Sequence, residues 1–293
     1  MTPSPATVPP ADAQADALAR LYDLDLLDDP GDLDLYLALA ARTGGPILEL
    51  AVGSGRLAGP LAAAGHEVVG VDLDPAMLRR AAARVSAVGR AAAGRLRLVE
   101  GDARSIRLPE AGSFRLAFLA LNSLLVMGGR ADQLAVLRTL AAHLTPDGTA
   151  IVDVWLPDAG DLAAYDGRVS LEYIRENPGT GRLVTKLASA RHDTATGVVD
   201  LVTIYDEGGT GEPTVRWTRR DRLHLVGASE LQAMAVEAGL RVEVVAGGYD
   251  LLPLGPGDDR AVLLAGPRRR RRVRPSIQDG PGAPVRSVSR GLV

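Results

Sequence analysis

The chain has 293 residues, 46% of them apolar, which suits one or two globular domains with a large core and excludes a wholly disordered polymer. It has no cysteine, so disulfides, thiolate zinc sites and a cysteine nucleophile are excluded. The net charge of −3 is uneven: eight Arg and one acid lie between Arg268 and Arg290, which leaves 25 Lys+Arg against 35 Asp+Glu elsewhere, a balance that does not suit nonspecific nucleic-acid binding.

Residues 1–15 lack periodicity and are expected to be disordered. They show no basic start followed by an apolar run, so they do not read as a signal peptide. Residues 16–29 read as a helix with an acidic end, and 32–43 as a second helix stopped by Gly44-Gly45-Pro46. Strands and helices then alternate. The strands are expected at 47–52, 67–72, 95–100, 115–121 and 149–155; the helices at 56–64, 75–88 and 131–144. Asp74 is placed to cap the helix that opens on Pro75. Pro146-Asp147-Gly148 is expected to end the helix before the fifth strand. Such alternation predicts a parallel sheet with right-handed crossovers. Past Pro157, segments 169–177, 182–192, 198–207 and 213–225 are rich in Val, Thr, Ile, Tyr and Trp and read as an antiparallel meander. A helix at 229–238 and strands at 241–245 and 261–265 close the pattern. The longest apolar stretches, such as Leu116–Val126 with Asn122 and Ser123 inside it, are too short to span a bilayer, and the protein is expected to be soluble and cytoplasmic.

The strongest chemical signal is Ile47-Leu-Glu-Leu-Ala-Val-Gly-Ser-Gly-Arg56, a strand end opening into a helix. Gly53 and Gly55 allow a sharp turn and leave room for a ligand against the backbone. Dinucleotide enzymes use a similar loop, but the third Gly of their fingerprint falls on Ala58 here. Glu49 in the strand suits an ammonium and suits a pyrophosphate badly. Asp72, in Val68-Val-Gly-Val-Asp-Leu-Asp-Pro-Ala-Met77, ends the second strand, where a carboxylate can accept from two ribose hydroxyls. Asp102, in Val99-Glu-Gly-Asp-Ala103, follows the third strand and can face an adenine edge. The four histidines have no metal-ligand spacing, and no metal is expected.

In order and spacing, these three segments resemble the motifs of class I S-adenosylmethionine-dependent methyltransferases. The resemblance runs over roughly residues 20–266 and is nearest to small-molecule members with a β insertion after the fifth strand, such as glycine, amino-sugar and peptide N-methyltransferases. It implies a Rossmann-like, mostly parallel seven-stranded sheet with helices on both faces. The implied divisions are a cofactor-binding core at 16–164, a β insertion at 165–225, returning core elements at 226–266 and a basic disordered tail at 267–293. By the resemblance, Glu49, Gly53 and Gly55 hold the methionine end, Asp72 the ribose and Asp102 the adenine amino group. Leu73 and Ala103 flank the ring, the backbone near Ala120 receives the ammonium, and Tyr22 covers the cofactor. Arg56 is a candidate for the cofactor carboxylate. Arg115 stands where the family often has Asp, and Asn122-Ser123 replaces the motif of nucleic-acid amino methyltransferases, so the implied acceptor is a small molecule or peptide, with nucleic acid disfavoured.

Asn122 and Asp153, near strand C-terminal ends where open α/β sheets bind ligands, are candidate catalytic residues, with Asp153 a possible base. Tyr173, Arg175, Lys186, Tyr205, Trp217 and Arg219 of the meander are candidates for the acceptor site. No histidine stands at a strand C-terminus, which favours a nitrogen acceptor over base-assisted O-methylation. The meander also offers a surface for a homodimer. Two other readings remain open at this point: a nicotinamide-dependent oxidoreductase, and a nonenzymatic S-adenosylmethionine-binding protein.

Overall fold

A computed structural model of the chain describes residues 11–209 and 213–268. The first elements are α1 (Ala11–Asp25), α2 (Leu33–Thr43), β1 (Ile47–Leu50), α3 (Ala58–Ala63), β2 (Val68–Asp72) and α4 (Pro75–Val88). Next come α5 (Arg90–Ala93), β3 (Leu96–Glu100), β4 (Phe114–Leu119), a 3-10 turn at Ser123–Val126, α6 (Arg130–His143) and β5 (Leu144–Trp155). The chain continues through α7 (Ala159–Ala164), β6 (Asp166–Glu176), β7 (Leu183–Asp193), β8 (Val198–Gly208) and β9 (Val215–His224). It closes with α8 (Ala228–Glu237), β10 (Leu240–Ala246) and β11 (Arg260–Pro267).

Seven strands form one sheet in the order β10-β11-β5-β4-β1-β2-β3, in which only β11 runs against its neighbours. The central strands are short continuous apolar runs because both of their faces are covered. On one face, Leu134, Leu137 and Leu140 of α6 pack with Leu231 and Met234 of α8. On the other, Tyr36 and Leu39 of α2 pack with Leu61 of α3 and Val85 of α4. The order reverses at β1, which lies between β4 and β2, so a crevice opens there at the strand C-terminal ends. The second sheet is the antiparallel meander β6-β7-β8-β9.

Local chemistry explains several boundaries. Asp74 caps α4 by accepting from the Ala76 amide at 2.8 Å, with Pro75 in the first turn. Gly70 sits mid-strand in β2 because a Cβ there would lie 2.8 Å from Val52 Cγ2 and 3.1 Å from Leu98 Cδ2.

The structure departs from the sequence reading in places. Helix α1 begins at Ala11, so residues 11–15 are helical rather than disordered, and residues 1–10 lie outside the described residues. Helix α6 stops at His143, whose ring sits in the core and accepts from the Leu108 amide at 3.1 Å. Pro146-Asp147-Gly148 does not end a helix; it is carried inside β5 as a bulge, with the β4 register passing from Phe114↔Leu144 to Leu116↔Thr149. The short helices α5 and α7 and the 3-10 turn have too few residues to show a period in sequence. Strand β11 extends to Pro267, and the rest of the basic tail from residue 269 lies outside the described residues. None of the helices among the described residues is long and apolar enough to cross a membrane.

Replacing Gly70 by Ala overpacks the interior against Val52 and Leu98 and is expected to cost about 1–3 kcal/mol. Denaturant unfolding of G70A checks this; an unchanged midpoint would show that β2 relaxes freely.

Candidate active site

The loop after β1 forms the floor of the crevice. Ala51, Gly53 and Gly55 all have positive φ, at 54°, 53° and 76°. A Cβ on Gly53 would meet nothing within 4 Å, so the backbone there is open to a ligand. A Cβ on Gly55 would lie 3.0 Å from Ala81 Cβ, so this glycine serves the close packing of α4. Asp72 turns back onto the loop: its Oδ2 accepts from the Gly53 amide at 2.8 Å and its Oδ1 from the Asp74 amide at 2.9 Å. Burial pushes the Asp72 carboxyl up, and the two amides pull it down. Each oxygen keeps a further lone pair for another donor.

Glu49 lies beneath the loop and is only 4% exposed. Its Oε2 has no hydrogen-bond partner among the described residues. Burial pushes its pKa well above the ordinary carboxylate value, and the Arg56 charge opposes that shift. Arg56 is not free: both Nη atoms donate to the buried carboxylate of Asp32 at 2.6 Å. Arg56 is the sequence candidate for the cofactor carboxylate; its two-Nη donor edge is engaged by Asp32 in this structure.

Helix α1 and strand β9 make the roof. A cavity of about 380 Å³ lies between Ala51, Gly53, Asp72 and Met77 below and Tyr22, Arg219 and Asp221 above. A narrow arm continues under Tyr22 to Glu49, Arg56 and Ala120. Helix α1 is clamped from both sides. Toward the core, Asp23 accepts from Ser54 Oγ at 2.6 Å and pairs with Arg80 and Arg84. Toward the meander, Arg20 pairs through both Nη atoms with the buried Glu207 at 2.7 Å. Leu21 and Leu24 pack there with Val184 and Tyr205. Tyr22 is thereby held over the loop; burial raises its pKa, while the charges of Arg219 and Arg56 lower it.

On the far side of Asp72, a recess of about 250 Å³ is lined by Leu73, Gly101, Asp102, Ala103, Arg104 and Met127. Leu73 is 64% exposed, a large apolar side chain facing open space in the recess. Asp102 is paired with Arg104 at 2.6 Å, and this guanidinium holds the carboxyl below its usual range.

The turn after β4 is built differently from the sequence reading. Leu121 and Asn122 are both left-handed, at φ 53° and 63°. Asp153 is fully buried, and its carboxylate accepts from the Leu121 amide (2.9 Å), Tyr36 Oη (3.2 Å), Tyr249 Oη (3.0 Å) and Arg260 Nη1 (2.7 Å). With four donors and no exposure, it is not placed to take a proton from an acceptor. Asn122 Oδ1 accepts from the Trp155 amide at 2.5 Å, so this residue too braces the turn and does not line the cavity. Both residues, singled out in sequence as catalytic candidates, have their polar atoms engaged in bracing this turn. The Ala120 carbonyl already accepts from the Ser123 amide and hydroxyl, at 3.2 and 2.7 Å, which leaves it little capacity for an ammonium.

Most of the meander residues singled out in sequence do not face the cavity. Tyr173 and Tyr205 donate to Asp25 at 2.8 Å each, and Lys186 pairs with the same carboxylate at 3.0 Å. Arg175 donates to the Leu24 carbonyl and to Asp28, and Trp217 packs beside Leu21 and Leu24. They anchor α1; only Arg219 of the six reaches the cavity. Met77 of α4, Met127 and Asp221 line it with no signal in the sequence, since which way such a residue faces shows only when its neighbours are known. No cluster of His, Asp and Glu able to hold a metal ion occurs among the described residues.

Comparison with known proteins agrees with this architecture. Residues 47–148 match the family model described as a methyltransferase domain. The chain is 25% identical over 256 residues to the dTDP-3-amino-3,6-dideoxy-alpha-D-glucopyranose N,N-dimethyltransferase of Streptomyces fradiae, covering 85% of this chain and 93% of that protein. Among solved structures, the CcbJ methyltransferase of Streptomyces caelestis superposes with a TM-score of 0.68 at 23% identity, covering 82% of this chain and 97% of that one. An S-adenosylmethionine-bound amino pentose methyltransferase of Micromonospora echinaspora superposes with a TM-score of 0.60 at 19% identity, covering 89% and 98%. The matched domain sets aside the nicotinamide-dependent oxidoreductase. Together with the doubly wound sheet, the glycine loop and the carboxylates at its strand ends, it makes the chain an enzyme with a methyltransferase domain whose cofactor is S-adenosylmethionine.

Proposed function

We propose that the protein methylates an amine nitrogen of a small-molecule or peptide acceptor. The observation that carries this is the chemistry of the cavity wall: among the described residues no histidine lines it, and Asp153, the acid nearest to a base in sequence terms, is saturated by four donors. A site of this kind works by position and desolvation rather than by an acid–base pair. A partly dehydrated cavity favours the neutral form of an amine, which then needs no dedicated base to become nucleophilic. The Streptomyces fradiae relative and the amino pentose methyltransferase, both named for amino-sugar acceptors, support the same reading.

The residues present fit the cofactor. The orphaned Oε2 of Glu49 is the acceptor that an ammonium would satisfy, and the open backbone at Gly53 leaves room beside it. S-adenosylmethionine, when bound, supplies a methyl group on a sulfonium. Glu49 accepts the ammonium, and Asp72 accepts the ribose hydroxyls with its remaining lone pairs. Asp102 accepts the adenine amino group once Arg104 moves aside, with Leu73 and Ala103 against the ring. Tyr22 closes the narrow arm and keeps water from the reacting atoms.

Three outcomes follow. Asp72→Ala weakens S-adenosylmethionine binding at least tenfold by calorimetry, since a lost acceptor leaves two hydroxyls unpaired; unchanged affinity would move the ribose elsewhere. Glu49 has a raised pKa, so it stabilises the ligand-free protein at low pH and that contribution is lost as pH rises through its folded value. Cofactor affinity should rise over that same window, because only the ionised carboxylate attracts the ammonium. Both trends disappear in Glu49→Gln; equal pH profiles for wild type and variant would refute the assignment. Asp153→Ala should cost about 3–5 kcal/mol in denaturant unfolding, the range for stranding one partner of a buried ion pair, here Arg260.

A further inference from the structure

The arginines around the cavity are closed by carboxylates, except for Arg219 and its exposed neighbour Arg220, which has no ion pair among the described residues. Arg56 gives both Nη atoms to Asp32, Arg20 gives both to Glu207, and Arg80 and Arg84 pair with Asp23. Arg219 is different. It stands on β9 two residues before Asp221, on the same side of the strand. Its Nε alone contacts that carboxylate, at 3.0 Å to Oδ1 and 2.8 Å to Oδ2. Neither Nη atom has an acceptor among the described residues. A guanidinium carries five N–H donors in a fixed fork, so Asp221 holds one edge and sets its orientation while the Nη end stays available. The side chain is 35% exposed and lines the cavity roof, and Arg220 also reaches that cavity.

Tyr22 is the neighbour that completes the arrangement. It lines both the main cavity and the narrow arm, and its hydroxyl makes no hydrogen bond among the described residues. Arg219 is the charge acting most strongly on that hydroxyl. A planar guanidinium end and a phenol donor side by side match an oxyanion, which supplies acceptor lone pairs and negative charge. Asp72 and Asp74 on the floor have their carboxylates turned to backbone amides, so they do not close the Arg219 donors. Glu49 and Arg56 lie in the narrow arm under Tyr22, away from the part of the cavity that Arg219 lines.

We propose that Arg219, oriented by Asp221 and assisted by Tyr22, receives an oxyanion carried by the methyl acceptor, either a carboxylate or a phosphate. This rests on the methyltransferase reading of the cavity and narrows its acceptor: the amine to be methylated belongs to a molecule that also bears a negative oxygen group. Arg219 then determines specificity by fixing the anion at the roof while the amine reaches toward the floor.

The test uses the full chain saturated with S-adenosylhomocysteine. Inorganic pyrophosphate and malonate are titrated separately by calorimetry into wild type, Arg219→Met and Arg219→Lys. The expected result is saturable binding of at least one anion to wild type, weakened tenfold or more in R219M and partly retained in R219K, where a point charge replaces the fork. S-adenosylhomocysteine affinity and the thermal midpoint should stay within twofold and two degrees of wild type, on the order expected for a change away from the cofactor. The anion that binds tells phosphate from carboxylate. If R219M does not fold, R219K carries the comparison. Equal anion binding in wild type and variants, or none to wild type, overturns the proposal and leaves the cofactor site standing. Tenfold weaker S-adenosylhomocysteine binding in R219M assigns Arg219 to the cofactor carboxylate instead and overturns it too. Failure of wild type to bind S-adenosylhomocysteine would remove the cofactor reading on which the proposal rests.

Discussion

A carboxylate shut away from water needs donors for its lone pairs, or its charge is not sustained. Asp153 meets that demand by drawing in groups from four separate parts of the chain: Tyr36 of α2, the Leu121 amide after β4, Tyr249 before β11, and Arg260 of β11. The consequence reaches well beyond β5. Two successive left-handed residues, Leu121 and Asn122, each carry a backbone penalty of about 1–3 kcal/mol. The Asp153 contact to Leu121, and the Asn122 contact to Trp155, hold the chain in that conformation. This lets the segment after β4 leave the sheet sharply and places Ser123, Val126 and Met127 against the cavity. The crevice at the switch point is thus kept open by a polar knot behind it.

The second constraint is the position of α1. A helix this short and this polar has little reason to stay in one place on propensity alone. It is fixed because acids along it find partners on opposite sides: Asp23 toward Ser54, Arg80 and Arg84 of the core, Asp25 toward Tyr173, Tyr205 and Lys186 of the meander. The acidic end of this helix is therefore a connector. The meander does most of its work through this connector. Its aromatic and basic residues hold α1 in place, α1 holds Tyr22, and Tyr22 narrows the arm that leads to Glu49. Strand β9 contributes more directly, since Arg219 and Asp221 stand over the cavity itself.

Much of the fold was legible in the residues. The alternation of apolar runs and amphipathic segments gave the strand and helix order, because a period of 2 or of 3.6 is local information. The cap at Asp74 and Pro75 was visible for the same reason. The bulge in β5 was not, since Pro146-Asp147-Gly148 has turn chemistry and only the pairing of Leu144 with Phe114 turns it into part of a strand. The glycine loop, Glu49, Asp72 and Asp102 could be singled out because each lies at a defined offset from a strand end. Asp153 and Arg56 could be singled out as charges in the right region, but the partners that engage them could not. Whether a charge is free or closed depends on Arg260 and Asp32, distant residues whose proximity no spacing reveals.

The sequence by itself determined the layered α/β architecture, the switch-point crevice and the carboxylates that face it, because these follow from local periodicity and from the geometry of a strand opening into a helix. Only the tertiary structure decided which polar groups remain available there. Hydrogen-bond saturation is a property of the partners that folding brings together: it closed Arg56, Asp153 and the Ala120 carbonyl, and left Glu49 Oε2 and the Nη end of Arg219 without a partner among the described residues.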